Sequence, residues 1–153
     1  MHMLQCAEKT FSQLTTEALF DILKLRVDVF VVEQQCAYHE LDEFDRHLET
    51  RHLAGRNDVG ELIVYARLLP PGLRYAEANL GRFVVRADFR KQGIGHQLME
   101  NSLQEMSSCW PKSSIRISAQ EYLQRFYSRY GFIQVSDVYI EDGISHIAVL
   151  PEV

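Results

Sequence analysis

The chain has 153 residues, 46% hydrophobic, 24% charged and 10% aromatic, with a formal net charge of -5. That length and composition suit one folded domain with a real core, residues 1–153, and exclude a largely disordered chain. The mildly acidic balance argues against general nucleic-acid binding, which needs a basic footprint, although Arg82, Arg86, Arg90 and Lys91 form a local basic patch. Cys6, Cys36 and Cys109 are odd in number and far apart, with no CxxC pair, which suits free thiols in a reducing compartment. No apolar run approaches the ~20 residues of a membrane helix, and the first residues lack a signal-peptide pattern. A soluble, cytoplasmic protein without a membrane partner is the expectation.

Leu4 to Phe11 reads as a first strand. Thr15 and Thr16 are N-cap candidates for a helix that places Leu19, Ile22, Leu23, Val27 and Phe30 on one face. Arg26 falls on that same face, and the simplest reading packs its stem and lets its head reach solvent; a buried ion pair is the sharper alternative. The helix ends in Phe30-Val31-Val32-Glu33-Gln34. Gln35 to Glu49, rich in Asp, Glu and His, reads as a polar surface loop near a pocket mouth, and its spacing matches no closed zinc site, so no metal is expected.

Arg51 to Gly55 is a short strand and Asn57-Asp58-Val59-Gly60 a hairpin turn. Leu62 to Leu69 is a strong strand stopped by Pro70-Pro71-Gly72, and Glu77 to Val85 is the next. From Gly93 a helix carries Ile94, Leu98, Met99, Leu103 and Met106 as an apolar stripe and ends by Pro111. Ile115 to Ser118 alternates as a strand that returns beside the previous one. A second helix carries Tyr122, Leu123, Phe126, Tyr127 and Tyr130 and stops at Gly131. Strands from about Phe132 to Ile140 and from Ser145 to Leu150 close the chain around the turn Glu141-Asp142-Gly143. The order defines an α/β (α+β) fold, a mixed and mostly antiparallel twisted sheet flanked by helices.

Within this order Leu80 to Met99, LGRFVVRADFRKQGIGHQLM, stands out. An apolar strand feeds two glycines and a helix N-terminus, where free N–H groups and the helix dipole make an anion site. A nucleotide P-loop is excluded, because Gly95 is followed by His96-Gln97 instead of Lys-Ser/Thr. A dinucleotide fingerprint is weak, because Leu98 replaces the third small residue. The pattern that remains is Arg/Gln-x-x-Gly-x-Gly/Ala, met by Arg90, Gly93 and Gly95.

Set between that strand and helix, and followed by Phe126-Tyr127-x-x-x-Gly131-Phe132, this pattern resembles the GNAT superfamily of acetyl-CoA-dependent N-acetyltransferases over nearly the whole chain. Leu25-Arg26-x-Asp28-Val29-Phe30-Val31-Val32-Glu33-Gln34, Ala119-Gln120-x-x-Leu123 and Glu141-Asp142-Gly143-Ile144-x-His146 make it similar to the ElaA-like branch. The resemblance implies the acyl-CoA N-acyltransferase fold and a set of roles. Arg90, Lys91, Gln92, Gly93, Ile94, Gly95 and His96 would hold the CoA pyrophosphate. Phe83, Val84 and Val85 would pair with the pantetheine arm, with a backbone N–H facing the thioester oxygen. Gln120 and Phe126 would also contact the cofactor, and Tyr127 would be the general acid. Lys91 stands where a glycine is common, which points to a different backbone geometry, and Gln120 is longer than the usual Asn.

For the acceptor, Glu33, Gln34 and His146 are the candidate contacts. Glu33, His52, Glu77, Glu141 and His146, or a water chain, are the candidates for the base. If Glu33 and the Glu141-Asp142 turn line the pocket, a cationic amine follows. The partners implied are acetyl-CoA and an amine acceptor, with a homodimer allowed. Periodicity alone would instead place Tyr127 in a core stripe with Phe126 and Tyr130. Three functions stay open: an N-acetyltransferase, a homoserine-lactone-synthase-like acyltransferase, and a non-catalytic CoA-binding domain.

Overall fold

The computed structural model describes residues 4–120, 123–134, 139–141 and 144–151. The elements are β1 (Gln5–Lys9), α1 (Thr16–Val27), β2 (Arg51–Arg56), β3 (Leu62–Leu69), β4 (Ala78–Val85), α2 (Ile94–Cys109), β5 (Ile115–Gln120), α3 (Gln124–Ser128), β6 (Phe132–Gln134), β7 (Tyr139–Glu141) and β8 (Ile144–Pro151). The strands form one sheet in the order β1-β2-β3-β4-β5-β8-β6, with β7 also on β8. Neighbours are antiparallel except β4 and β5, which run parallel across the α2 crossover. The expected mixed sheet is therefore present. Within the strand expected over Phe132 to Ile140 the described residues form β6 and β7, which pair with different stretches of β8.

β3 lies inside the sheet and is buried at all eight positions, which its unbroken apolar run LIVYARLL requires. One sheet face packs Ile63, Leu68, Leu80 and Ile117 against Ile94, Leu98, Met99 and Met106 of α2. The other packs Leu62, Tyr65 and Val84 against Ile22, Leu25 and Val29 of α1. Thr15 caps α1, its Oγ1 accepting from the Ala18 N–H at 3.0 Å. Past Val27 the helix widens, with Gln34 N–H donating to Val29 O and Cys36 N–H to Val31 O, both i→i+5 bonds. That wide turn carries Glu33 and Gln34 to the rim described below.

The loop after α1 is where expectation and structure part most. Arg26 is fully buried, 0% exposed, and so is Arg67 from β3. Arg26 Nε donates to Glu40 Oε1 at 2.8 Å, and its Nη1 to Asp45 Oδ1 at 2.7 Å. Arg67 Nη1 reaches Asp42 Oδ1 at 2.8 Å and Asp45 Oδ1 at 3.0 Å. Arg82 Nη2 donates to the Glu40 carbonyl at 3.0 Å, and Tyr38 Oη donates to Glu40 Oε2. Arg26 therefore does not reach solvent, and the segment from Tyr38 to Asp45 is not a simple surface loop. It is strapped onto the α1 face of the sheet by three arginines from three elements. Burial in a low-dielectric site makes each of these charges intolerable alone and stable only in company.

The arginines of the local basic patch are likewise paired. Arg86 pairs with Asp88 at 2.7 Å, and Arg90 with Glu33 at 2.6 Å. Cys6, Cys36 and Cys109 form no disulfide. No helix among the described residues is long and apolar enough to cross a membrane.

Candidate active site

β4 and β5 pair only from Ala78–Leu80 to Ile115–Ile117, after which β5 turns to β8 through Ile117–Gln120. A bulge in the β3–β4 pairing follows directly after that point. Val84 pairs with Tyr65 and Gly81 with Arg67, so Arg82 and Phe83 together face Ala66. Arg82 sits at φ 49, in the left-handed region, which costs a non-glycine residue about 1 kcal/mol. Its ion pair with Glu40 at 2.9 Å and its stacking over Tyr38, 5.8 Å from the ring, hold it there.

The parting strands open a cleft of about 990 Å³. Phe83, Val84 and Val85 form one wall, and Leu123, Phe126 and Tyr127 another. Arg90, Lys91, Gly93, Gly95 and His96 line one end, and Tyr38, His39, Asp42, Arg74 and Asn79 line the other. Glu33 and Gln34 also line it.

The phosphate end follows from the α2 start. Gly93 is its N-cap at φ 78, no side chain caps it, and its first turn holds no acid. By helix geometry the N–H groups of Ile94, Gly95 and His96 lack intrahelical acceptors. A Cβ built on Gly93 would meet nothing within 4 Å, so this glycine leaves open space over those donors. Lys91 takes φ 64. The different geometry expected at Lys91 is not seen: the lysine adopts the left-handed backbone that a glycine enters most easily. Gln92 is exposed and is not in the lining. The Ile94 side chain is buried in the core, so what it offers a ligand is its N–H.

Tyr127 belongs to the core stripe that its periodicity implied and to the cleft wall as well. It is 3% exposed within the main core cluster, and it also lines the cleft. Phe126 lies edge-on to it at 5.4 Å and Phe83 at 6.4 Å. His96 and Phe126 stack at 5.0 Å, and His96 Nδ1 meets Tyr130 Oη at 2.5 Å, tying α2 to the turn after α3.

His52 proves structural. It is buried, with Nδ1 on Tyr65 Oη at 2.6 Å and Nε2 on the Asp45 carbonyl at 2.8 Å, and it does not line the cleft. Burial pushes its pKa down, and burial pushes the Tyr65 hydroxyl up to about 12. Glu77 pairs with Arg116 at 3.7 Å, also away from the cleft. Gln120 and His146 are opposite each other in the β5–β8 ladder, where β5 has left β4. Asp142 and Gly143, like Tyr122, lie outside the described residues. Glu33 lines the cleft but is held by Arg90, and Asp42 by Arg67 and Arg82, so the described carboxylates of the cleft are already neutralised. Sequence reasoning missed Tyr38 and Asn79; the available signal for Asn79 was a polar residue set between Ala78 and Leu80 in a buried strand.

A splayed β4–β5 pair, with a glycine-bearing helix N-terminus at one end of the split, defines an acyl-CoA N-acyltransferase architecture. The acetyltransferase (GNAT) domain profile matches residues 19–149, and the chain belongs to the GNAT acetyltransferase family, in its ElaA-like branch. It is an acyltransferase enzyme by that membership. Protein ElaA of Escherichia coli is 39% identical over 152 residues, 99% of this chain and 98% of that one. A UPF0039 protein of Schizosaccharomyces pombe is 45% identical over 151 residues, 96% of each chain. The crystal structure of an acyl-CoA N-acyltransferase from Pseudomonas aeruginosa matches with a TM-score of 0.92 and 42% identity, covering 98% of this chain and all of that one (100%).

Proposed function

We propose that the protein transfers an acetyl group from acetyl-CoA to a primary amine by direct attack with both substrates bound. The observation that carries this reading is the cleft itself: the part of β4 beyond its pairing with β5, where the Val85 carbonyl accepts from Arg90 Nε at 3.0 Å, the uncapped start of α2 and Tyr127 all line one space. The residues fit CoA, because the Gly93 cradle is open and the donors behind it are unpaired by side chains.

Acetyl-CoA, when bound, supplies an activated thioester. The N–H groups of Ile94, Gly95 and His96 would bind its pyrophosphate, and Arg90 and Lys91 would add positive charge. The backbone edge from Phe83 to Val85 would pair with the amides of the pantetheine arm as an added strand does. A backbone N–H of that edge would stabilise negative charge on the thioester oxygen. Tyr127 Oη would hold the proton that the departing sulfur takes, an exchange between groups of similar basicity. Orientation of the two reactants in one cleft supplies several kcal/mol of the acceleration.

The test is calorimetry with acetyl-CoA, followed by free-thiol release across a panel of primary amines. Binding plus amine-dependent release supports the reading. Binding without release on any amine leaves only a CoA-binding domain, and no binding removes both.

Two variants probe the phosphate end. Gly93→Val is expected to weaken acetyl-CoA binding at least about 100-fold, because its side chain enters the space before the helix donors. Gly72→Val is the control, since Gly72 has a similar φ of 86, equal open space and no place in the cleft; it should lose stability and keep affinity. Equal affinity in the Gly93 variant would refute the cradle. Glu33→Gln releases Arg90 from a half-exposed ion pair. Acetyl-CoA should then bind up to about fivefold tighter at low salt, with the gain vanishing at high salt. An unchanged low-salt Kd would show that Arg90 does not meet the phosphates.

A further inference from the structure

Asn79 sits in β4 just before the strand bulges, and it lines the cleft. It is 1% exposed. Its Nδ2 donates to the Arg116 carbonyl at 2.9 Å and lies 3.5 Å from the Leu80 carbonyl. These contacts fix the amide orientation, because a flip would set carbonyl against carbonyl. The atom left over is Oδ1, which is buried and has no hydrogen-bond partner among the described residues. It points along the sheet towards Gly81, another cleft residue: a Cβ built there would stand 3.6 Å from it.

Several polar groups of this end are engaged elsewhere, although Arg67 Nε and Nη2 are also buried without a hydrogen-bond partner among the described residues. Arg67 and Arg82 hold Asp42, Tyr38 donates to Glu40, and Arg82 is held by Glu40. A buried carbonyl oxygen without a donor bears its full desolvation penalty, so one such oxygen in a cleft wall marks where an incoming N–H gains most.

We infer that Asn79 Oδ1 is the subsite for the acceptor nitrogen, taking one N–H of a neutral primary or secondary amine and leaving its lone pair free to attack. The inference rests on the acetyltransferase reading and sharpens it. A carboxamide carries no charge and takes no proton near neutrality, so Asn79 binds and orients the amine and does not deprotonate it. It also sets the substrate class. The subsite takes a nucleophile that bears an N–H and adds no ion pair of its own. A thiol, a weak donor, gains little from this oxygen.

The experiment uses the full chain, acetyl-CoA and the amine that gives the fastest thiol release in the panel. Asn79→Leu is expected to lower kcat/KM for that amine about tenfold, mainly through KM. The Kd for acetyl-CoA should stay within about twofold, since the altered group lies at the acceptor end. The pH profile of kcat/KM should keep its position, because no titrating group is lost. A role confined to bracing Arg116 would lower thermal stability and leave the KM of the amine where it was, which would overturn the subsite. Should the leucine variant fail to fold, the wild-type protein answers instead. With CoA bound, saturation by the same amine should shift the side-chain carbonyl resonance of Asn79, and an unmoved resonance overturns the inference. The two failures are distinct: absence of amine-dependent release removes the acetyltransferase reading and the subsite together, whereas release with an unchanged KM in Asn79→Leu removes the subsite alone.

Discussion

Asp45→Asn is expected to destabilise the protein by about 3–5 kcal/mol, a large share of the total for a domain of this size. Asp45 accepts from Arg26 at 2.7 and 3.2 Å, from Arg67 at 3.0 Å and from the Asp42 N–H at 3.0 Å. Asparagine keeps the shape and removes the charge, so two fully buried guanidinium groups share fewer counterions. Urea unfolding reads the effect as a lowered midpoint at constant m. A loss under about 1 kcal/mol would mean that Glu40 and Asp42 alone neutralise the site.

The same residue sets a pH signature. Burial by itself would raise the pKa of Asp45, but the hydrogen bond from Arg26 and the charges of Arg26 and Arg67 prevail and hold it at about 2, below the ordinary 3.8. As pH falls, the unfolded chain therefore takes up this proton first. The stabilisation is complete above pH 3.8 and drains away as pH drops through about 2. The amount is on the order of 2 kcal/mol. His52 acts in the same direction at higher pH. Burial lowers its pKa below 6.5, so the unfolded chain binds that proton first as well, and stability begins to fall once pH drops below 6.5. Wild-type stability against pH should show both losses, and Asp45→Asn only the one from His52. A variant curve that still fell between pH 4 and 2 as steeply as the wild type would assign the acid loss to another carboxylate.

Tyr127→Phe is the second large effect, and it should fall on turnover alone. A positioned proton donor is worth roughly 10²-fold or more in rate. Phenylalanine preserves the edge-on packing on Phe126 and Phe83, so the cleft wall stays in place and acetyl-CoA affinity should change by less than about twofold. Steady-state thiol release with saturating acetyl-CoA measures it. An undiminished kcat would move proton delivery to the sulfur away from Tyr127, while the binding roles of β4 and α2 would stand.

Arg26 shows where local reading fails. Its position on an apolar helix face was visible in the sequence, but its partners Glu40 and Asp45 follow 14 and 19 residues later in a stretch whose composition reads as solvated. Nothing in that stretch says that Arg67 and Arg82, from two different strands, will close over it. His52 fails for the same reason: a histidine near an acidic loop can be a base or a brace, and only its two occupied ring nitrogens decide. Tyr127 was undecidable by periodicity, because a residue can belong to a core stripe and to a cleft wall together.

By itself the sequence determined what is local. Strand β3, the glycine turn after β4 and the capped start of α1 follow from apolar runs, φ requirements and side-chain caps within a few residues. Family membership follows too, since it rests on the spacing of those same local features. Only the tertiary structure decided the site's working geometry. The bulge at Arg82 depends on register with β3, the cleft on β5 leaving β4 for β8, and the lone oxygen of Asn79 on the carbonyl of Arg116. These are relations between segments tens of residues apart, and one residue's shift in register would erase them without changing any local preference.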